Sequence, residues 1–283
     1  MIDAAERPSR WPVVEEIRKL PAFLRRDFLV AWTYRLAFVV DWLNLFGQIL
    51  VFSLVGRLID PSTLPVIGGE QVTYVEFVVT GIAVTTLLQI SLGRVVAATR
   101  EEQLMGTLEA LLMTPTSQWT IQVGLVVYDL VYVPIRTLGI VLIAVLLFDA
   151  SIHASGLGPA IAILLVFMLF AWGVGMLGAA LVLTFRRGVN VLTFATSIVM
   201  IGSNAYVPVD VLPSWAAWIA VINPVTFAID GVRGALLGGG GWQDAVDTIV
   251  ILLPIALISL IVGVVSIKLA LARERRRGTL GLY

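Results

Sequence analysis

The chain has 283 residues, 59% hydrophobic and only 13% charged, with a mean hydropathy of +0.96 and a formal net charge of +0. A soluble domain carries about twice that charged fraction, so no ordinary core absorbs this much apolar surface and lipid has to be the solvent for much of it. Cysteine is absent, which excludes disulfides, thiolate metal sites and a cysteine nucleophile.

The first thirty residues mix Glu15, Glu16 and Asp27 with basic side chains and lack a short apolar run before a small-residue cleavage site. No removable signal peptide is therefore expected. Val13, Ile17, Leu20, Leu24, Phe28 and Ala31 recur at steps of three or four, while Glu15, Glu16, Arg18, Lys19, Arg25 and Arg26 lie largely off that stripe. Trp11 and Trp32 bracket the segment. The pattern predicts an amphipathic helix in the headgroup plane, kinked at Pro21. A basic anchor that only fixes topology fits the same residues.

A helix needs roughly 20 mostly apolar residues to cross the hydrocarbon core. Six runs qualify, at about 35–58, 75–99, 118–148, 158–185, 189–206 and 246–271. Runs of this length are helices, because barrel strands are about half as long. The first carries Asp41, Asn44 and Gln48 on one helix face, a stripe expected to look at protein or water. Arg57 and Glu76 lie near span ends, where they are able to snorkel.

One compact polar stretch, Arg100 to Pro115, separates the second and third runs. It has helix-forming character and Pro115 closes it. A short charged helix held at the bilayer surface is what a membrane protein presents to a soluble partner that pushes on it. In the third run Asp129 and Arg136 share a face but sit about 10 Å apart along the axis, so each is expected to find its partner elsewhere. For Asp41, Asp129 and Arg136, a structural role in the bundle and a place in a pathway or its gate both remain open.

His153, alone in a short loop, is a poor metal ligand and reads as surface. The fourth run offers Ala171, Gly175 and Ala179, with Gly173 and Gly178 beside them, which permits close helix approach either within the chain or at a seam with another copy. Pro134 and Pro254 are kink candidates. The fifth run is short and carries Asn190, Thr193, Ser203 and Asn204. Residues 207–241 are too apolar for a solvated loop, yet Pro208, Pro213 and Pro224 cut them into pieces too short to span. They are expected to form two short helices that enter the outer leaflet and return, shielded by neighbouring protein. Gly238 to Gly241 then supplies a flexible turn.

Arginine and lysine set the direction. Seven of them, Arg7 to Arg35, precede the first span; Arg94, Arg100, Arg186 and Arg187 flank the second and fourth connections; Lys268 to Arg277 close the last span. The first connection (Asp60 to Tyr74) and the third (Asp149 to Gly158) have none. Both termini and the 100–115 stretch are therefore expected in the cytoplasm. The expected architecture is all-α and polytopic. Residues 1–34 form a cytoplasmic N-terminus with the interfacial helix, and 35–283 a six-span domain. That domain includes an outer re-entrant segment at 208–240 and a short basic cytoplasmic tail at 272–283.

Taken in order, four features resemble the permease subunits of type-2 ABC exporters. They are the N-terminal amphipathic helix, six spans, the loop Arg100-Glu101-x-x-x-x-Gly106-Thr107-Leu108-Glu109 ending in Thr114-Pro115, and the late element Leu212-Pro213 … Asn223-Pro224-x-Thr226-Phe227-x-x-Asp230-x-x-Arg233. The resemblance implies that residues 101–113 are a coupling helix seated on a cytoplasmic ATPase, with Arg100, Glu101, Glu102, Gly106, Thr107, Leu108, Glu109 and Pro115 making or framing that contact. It implies an outer gate built from Pro208, Leu212, Pro213, Asn223, Pro224, Phe227, Asp230 and Arg233. It also implies a second permease copy, two ATPase subunits that bind the ATP and magnesium, export through the inner (plasma) membrane, and no cofactor in this chain. Phe227 stands where the family often has tyrosine, so a hydroxyl contact is missing there.

The residues agree on one point independently. No Gly-x-x-x-x-Gly-Lys-Ser/Thr occurs and the only lysines are Lys19 and Lys268, so nothing here cradles nucleotide phosphates. The expected cargo is amphiphilic or hydrophobic: a drug, an antibiotic, a lipid or a lipid-linked glycan. No nucleic-acid partner is expected. An ion-coupled carrier working alone would need inverted repeats and broken spans at mid-membrane, and none is convincing. An intramembrane enzyme would need a paired-acid, zinc or serine–histidine arrangement, and none appears within the spans.

Overall fold

The computed structural model describes residues 16–104, 120, 123–124, 127–185 and 188–277. Its helices in chain order are α1 (Leu20–Thr33), α2 (Arg35–Gly56), α3 (Tyr74–Leu104), α4 (Val127–Phe148), α5 (Leu157–Thr184), α6 (Gly188–Ile201), α7 (Ser214–Ile222), α8 (Pro224–Leu237) and α9 (Trp242–Arg277). One hairpin, β1 (Val66–Ile67) and β2 (Glu70–Gln71), interrupts the α2–α3 connection, with Val66 opposite Gln71 and Ile67 opposite Glu70. Gly68 and Gly69, at φ 61° and 85°, supply the left-handed pair that a two-residue turn of matching twist requires. The chain is an all-α polytopic membrane protein.

Among the described residues five helices are long and apolar enough to cross a membrane: α2, α3, α4, α5 and α9. The fifth run read from the sequence, 189–206, forms the 14-residue α6 instead of a full span. At 1.5 Å per residue α6 is about 21 Å long, short of a roughly 30 Å hydrocarbon core. It stops because Ser203 turns its hydroxyl onto the Met200 carbonyl at 2.7 Å and Asn204 adopts a left-handed φ of 60°. The last span is longer than expected, a single helix of 36 residues that carries Pro254 inside it.

Pro21 stands beside an interruption of the N-terminal helix: residues 16 and 17 are helical, 18 and 19 form a turn, and α1 begins at Leu20. It occupies the first turn of α1, where its missing N–H costs nothing and its fixed φ suits helix initiation. Tyr34, with φ −98° and ψ 51°, then breaks the chain between α1 and α2.

α5 is the central helix, packed along α9 and against α3, α8 and α6. Its small residues are consumed by this intrachain packing. A Cβ on Gly173 would run into Ser259 and the backbone of Leu260 on α9; one on Gly263 of α9 would strike the Gly173 carbonyl. Gly175 meets the Ser91 carbonyl and Val95 of α3, and Gly178 meets Leu192 of α6. Because lipid tails are as apolar as leucine, close approach of backbones holds such helices together more than removal from water does. Phe77, Phe167, Ile229 and Leu252 fill the centre with no exposed surface.

The proline-cut segment becomes α7 and α8, broken at Asn223-Pro224. α8 buries Val225, Ala228, Ile229, Val232 and Leu236. α7 leaves Trp218, Val221 and Ile222 exposed, so within one chain only the second helix of the pair is shielded. The glycine tract has a defined conformation: Gly239 is left-handed at φ 61°, and Gly238 and Gly240 both donate to the Gly234 carbonyl at 3.1 Å, closing α8.

Candidate functional site

Two groups of polar residues occupy positions where charge is costly, and a third belongs to the polar stretch at 100–115. Asp41 lies in the second turn of α2, and α4 packs beside it. Arg136 of α4 donates from Nη2 to Asp41 Oδ1 at 2.9 Å, and the Tyr132 hydroxyl donates to Oδ2 at 3.3 Å. Tyr132 in turn stacks on Tyr128 with ring centroids 5.7 Å apart. The Asp41 and Arg136 side chains are 37% and 11% exposed, so the arginine is the better sequestered partner. Its Nε has no acceptor among the described residues. The pair faces a cavity of 460 Å³ closed on its other side by Ile90, Gly93 and Ala97 of α3.

Arg136 thus finds its partner on another helix, as its distance from Asp129 required; the Asp129 side chain lies outside the described residues. The rest of the α2 stripe divides. Gln48 is half-buried, but Asn44 is exposed among the described residues. Indeed α2 buries only Leu45 and Ile49 fully.

The second group is built at the start of α8. Asn223 caps that helix by accepting from the Val225 N–H at 3.0 Å, and donates from Nδ2 to the Val199 carbonyl at 2.8 Å, joining the α7–α8 break to α6. Three turns on, Arg233 is 2% exposed. Its Nη2 donates to the carbonyls of Phe77 at 2.9 Å and Asn204 at 3.0 Å, and its Nε to the Thr80 hydroxyl at 3.2 Å. Nη1 lies 3.4 Å from Asp230 Oδ1, which also accepts from Asn204 Nδ2 at 2.7 Å. The guanidinium carbon sits 3.7 Å from the Phe77 ring centroid. A buried cation is tolerated only with this degree of pairing. Of the expected outer-gate residues, Asp230 and Arg233 are brought together with α3 and the turn after α6, while Asn223 and Pro224 stand at the other end of α8, where Asn223 meets α6. Phe227 packs against the main apolar core. Pro208, Leu212 and Pro213 lie apart on the approach to α7, where Pro213 occupies its N-cap.

The third group concerns the polar stretch. α3 runs unbroken for 31 residues from Tyr74 to Leu104, so Arg100, Glu101 and Glu102 belong to the same helix as the second span. Gly106, Thr107, Leu108, Glu109 and Pro115 lie outside the described residues. At about 46 Å, α3 exceeds the hydrocarbon thickness and its last turns project beyond it. On the return, the Thr120 hydroxyl donates to Glu16 Oε2, and Gly124 leaves just the space that the Phe23 ring fills. The chain thus leaves the end of α3 at Leu104, and on the return Thr120 and Gly124 meet the α1 region.

Glu76 departs from its expected snorkelling position and is 7% exposed. Its Oε2 accepts from the Thr73 N–H and hydroxyl, both at 2.8 Å, while its own N–H donates to Thr73 Oγ1 at 3.3 Å. This is a capping box, and the Thr-x-x-Glu spacing at 73–76 was its signal in the sequence. Glu76 Oε1 also accepts from the Ser151 N–H at 2.6 Å, which ties the start of α3 to the α4–α5 loop. His153 is exposed, and no group of metal-ligating side chains occurs among the described residues.

The family model of the ABC-2 type transporter matches residues 18–237, from the α1 region to the end of α8. The chain belongs to that family. No curated protein matches it.

Proposed function

We propose that this ABC-2 family permease is the membrane subunit of an ATP-driven exporter for an amphiphilic or hydrophobic cargo: a drug, an antibiotic, a lipid or a lipid-linked glycan. The family carries the permease role and the partnership with an ABC ATPase. The observation that favours a lever at residues 101–113 is the continuity of α3. A push delivered just past Leu104 enters a helix that also touches α2, α4, α5 and α8. Movement of that helix changes the walls of the 460 Å³ cavity, since Ile90, Gly93 and Ala97 line it.

In this reading two copies face each other, with the cargo pathway at their seam, and two ATPase subunits bind ATP and magnesium below. The exposed face of α2, which carries Asn44, supports such a seam. Leu43, Phe46, Leu50, Leu54 and Asn44 would otherwise all meet lipid, and an amide there is costly. Asp41 and Arg136 offer both signs of charge to a polar headgroup, while the surrounding rings accommodate its apolar part. α7, α8 and the Asn223 and Arg233 networks close the outer end, with both termini in the cytoplasm.

The experiment replaces Glu102, Gly106 and Glu109 and follows co-purification of the ATPase and efflux from inverted vesicles. The expected result is loss of stimulated hydrolysis and of transport with normal membrane insertion. Undiminished coupling removes the lever from residues 101–113, and transport by the purified chain on an ion gradient alone overturns the ATP-driven reading.

A further inference from the structure

The inner corner between α1 and α2 holds a second cavity, an open groove of 720 Å³. Leu24 and Phe28 of α1, Val39 and Trp42 of α2, and Val131 and Ile135 of α4 line it. Most of this wall is apolar and open: Phe28, Val39, Val131 and Ile135 are each about half exposed. Among the described residues the charged side chains that line the groove are Arg25 and Arg35, with no carboxylate. Among the described residues neither arginine makes an ion pair. Arg35 instead lies over the Trp32 ring, its guanidinium carbon 4.8 Å from the centroid. Such a stack orients the fork without neutralising it.

An apolar trough beside two uncompensated cations, set where an interfacial helix turns into a span, has one complementary occupant. We propose that the groove is the seat of an anionic phospholipid, one acyl chain lying along Leu24, Phe28, Val39 and Ile135 and the phosphate held by Arg25 and Arg35. Planar guanidinium forks suit phosphate geometry. The lipid is a resident of the leaflet in which α1 lies. It fills the angle between α1 and α2, which Tyr34 leaves without continuous helical hydrogen bonding, and so holds that angle. The site requires only that α2 and α4 span the membrane and that α1 lies at its surface, so its failure leaves the transport reading intact.

The test is native mass spectrometry of the purified full chain in micelles, supplied with equal phosphatidylglycerol and phosphatidylcholine of the same acyl chains. The wild type is expected to retain phosphatidylglycerol in preference. Arg25→Gln with Arg35→Gln lowers that preference roughly thirtyfold, at about one factor of five per arginine near a headgroup. Val39→Trp, which fills the trough, reduces retention of both lipids. All three positions are exposed, and melting of the delipidated variants at the wild-type temperature separates lost lipid from lost fold. A double variant that still prefers phosphatidylglycerol, or a Val39→Trp chain with a full lipid load, overturns the site.

Discussion

Arg136 of α4 reaches Asp41 of α2 with Nη2 2.9 Å from Oδ1, closing an ion pair between spans 95 residues apart in the chain. The pair is unequal in burial, so its two members respond differently to removal. Asp41→Asn leaves the sequestered Arg136 guanidinium without its counter-charge, whereas Arg136→Gln leaves a carboxylate that solvent or a headgroup still reaches. The former is expected to cost about 1–3 kcal/mol, between exposed and buried pairs, and the latter less. Melting of the detergent-purified variants measures the difference; an Asp41→Arg, Arg136→Asp exchange should recover part of it.

Arg233 is predicted to be among the least replaceable residues. Arg233→Met removes the donors for two backbone carbonyls and the Thr80 hydroxyl in a site with almost no exposure. The loss is expected to reach about 3–5 kcal/mol. Arg233→Lys should rescue little of it, because one ammonium does not span the Phe77 and Asn204 carbonyls in the same plane. Yield of folded protein by fluorescence-detected size exclusion provides the measurement.

Two glycine substitutions should behave oppositely. Gly263→Ala drives a methyl into the Gly173 carbonyl at the α5–α9 crossing and should cost about 1–3 kcal/mol as the helices part. Gly234→Ala, in α8, meets nothing within 4 Å and should be neutral or stabilising by about 0.4–1 kcal/mol. Equal melting temperatures for the two variants would contradict the close α5–α9 approach.

The contact between Glu16 and Thr120 should hold the start of α1 against the return of the polar stretch. Glu16→Ala also removes the 2.8 Å Lys19 partner. It is expected to raise the rate of tryptic cleavage at Arg18 and Lys19 severalfold, since local opening sets access to the protease. Cleavage at the wild-type rate would mean that α1 is anchored elsewhere.

Much of the architecture is readable from composition alone, and the reason is that transfer into lipid is nearly additive along the chain. α2, α3, α5 and α9 each announce themselves as long apolar runs, and Asn223-Pro224 marks the α7–α8 break through the dihedral limits that proline imposes. The Thr73-x-x-Glu76 box was equally local and stood in plain view. α6 is the exception among the runs: hydropathy continued to residue 206, but the turn at Ser203 and Asn204 depends on side-chain hydrogen bonds and on packing against α8, neither of which a hydropathy average registers.

Local chemistry therefore decided which segments are long and apolar enough to enter a membrane and where helices stop at proline. It did not decide the partners. Whether Gly173 and Gly175 served this chain or a second copy, and whether Asp41 met Arg136 or cargo alone, depended on the rotation and depth of each helix relative to its neighbours. Those variables are set only when backbones meet at glycine contacts such as Gly173 with Gly263, because a contact in three dimensions involves two helices at once. The same holds for Arg233, whose four hydrogen-bonding partners come from three separate segments of the chain.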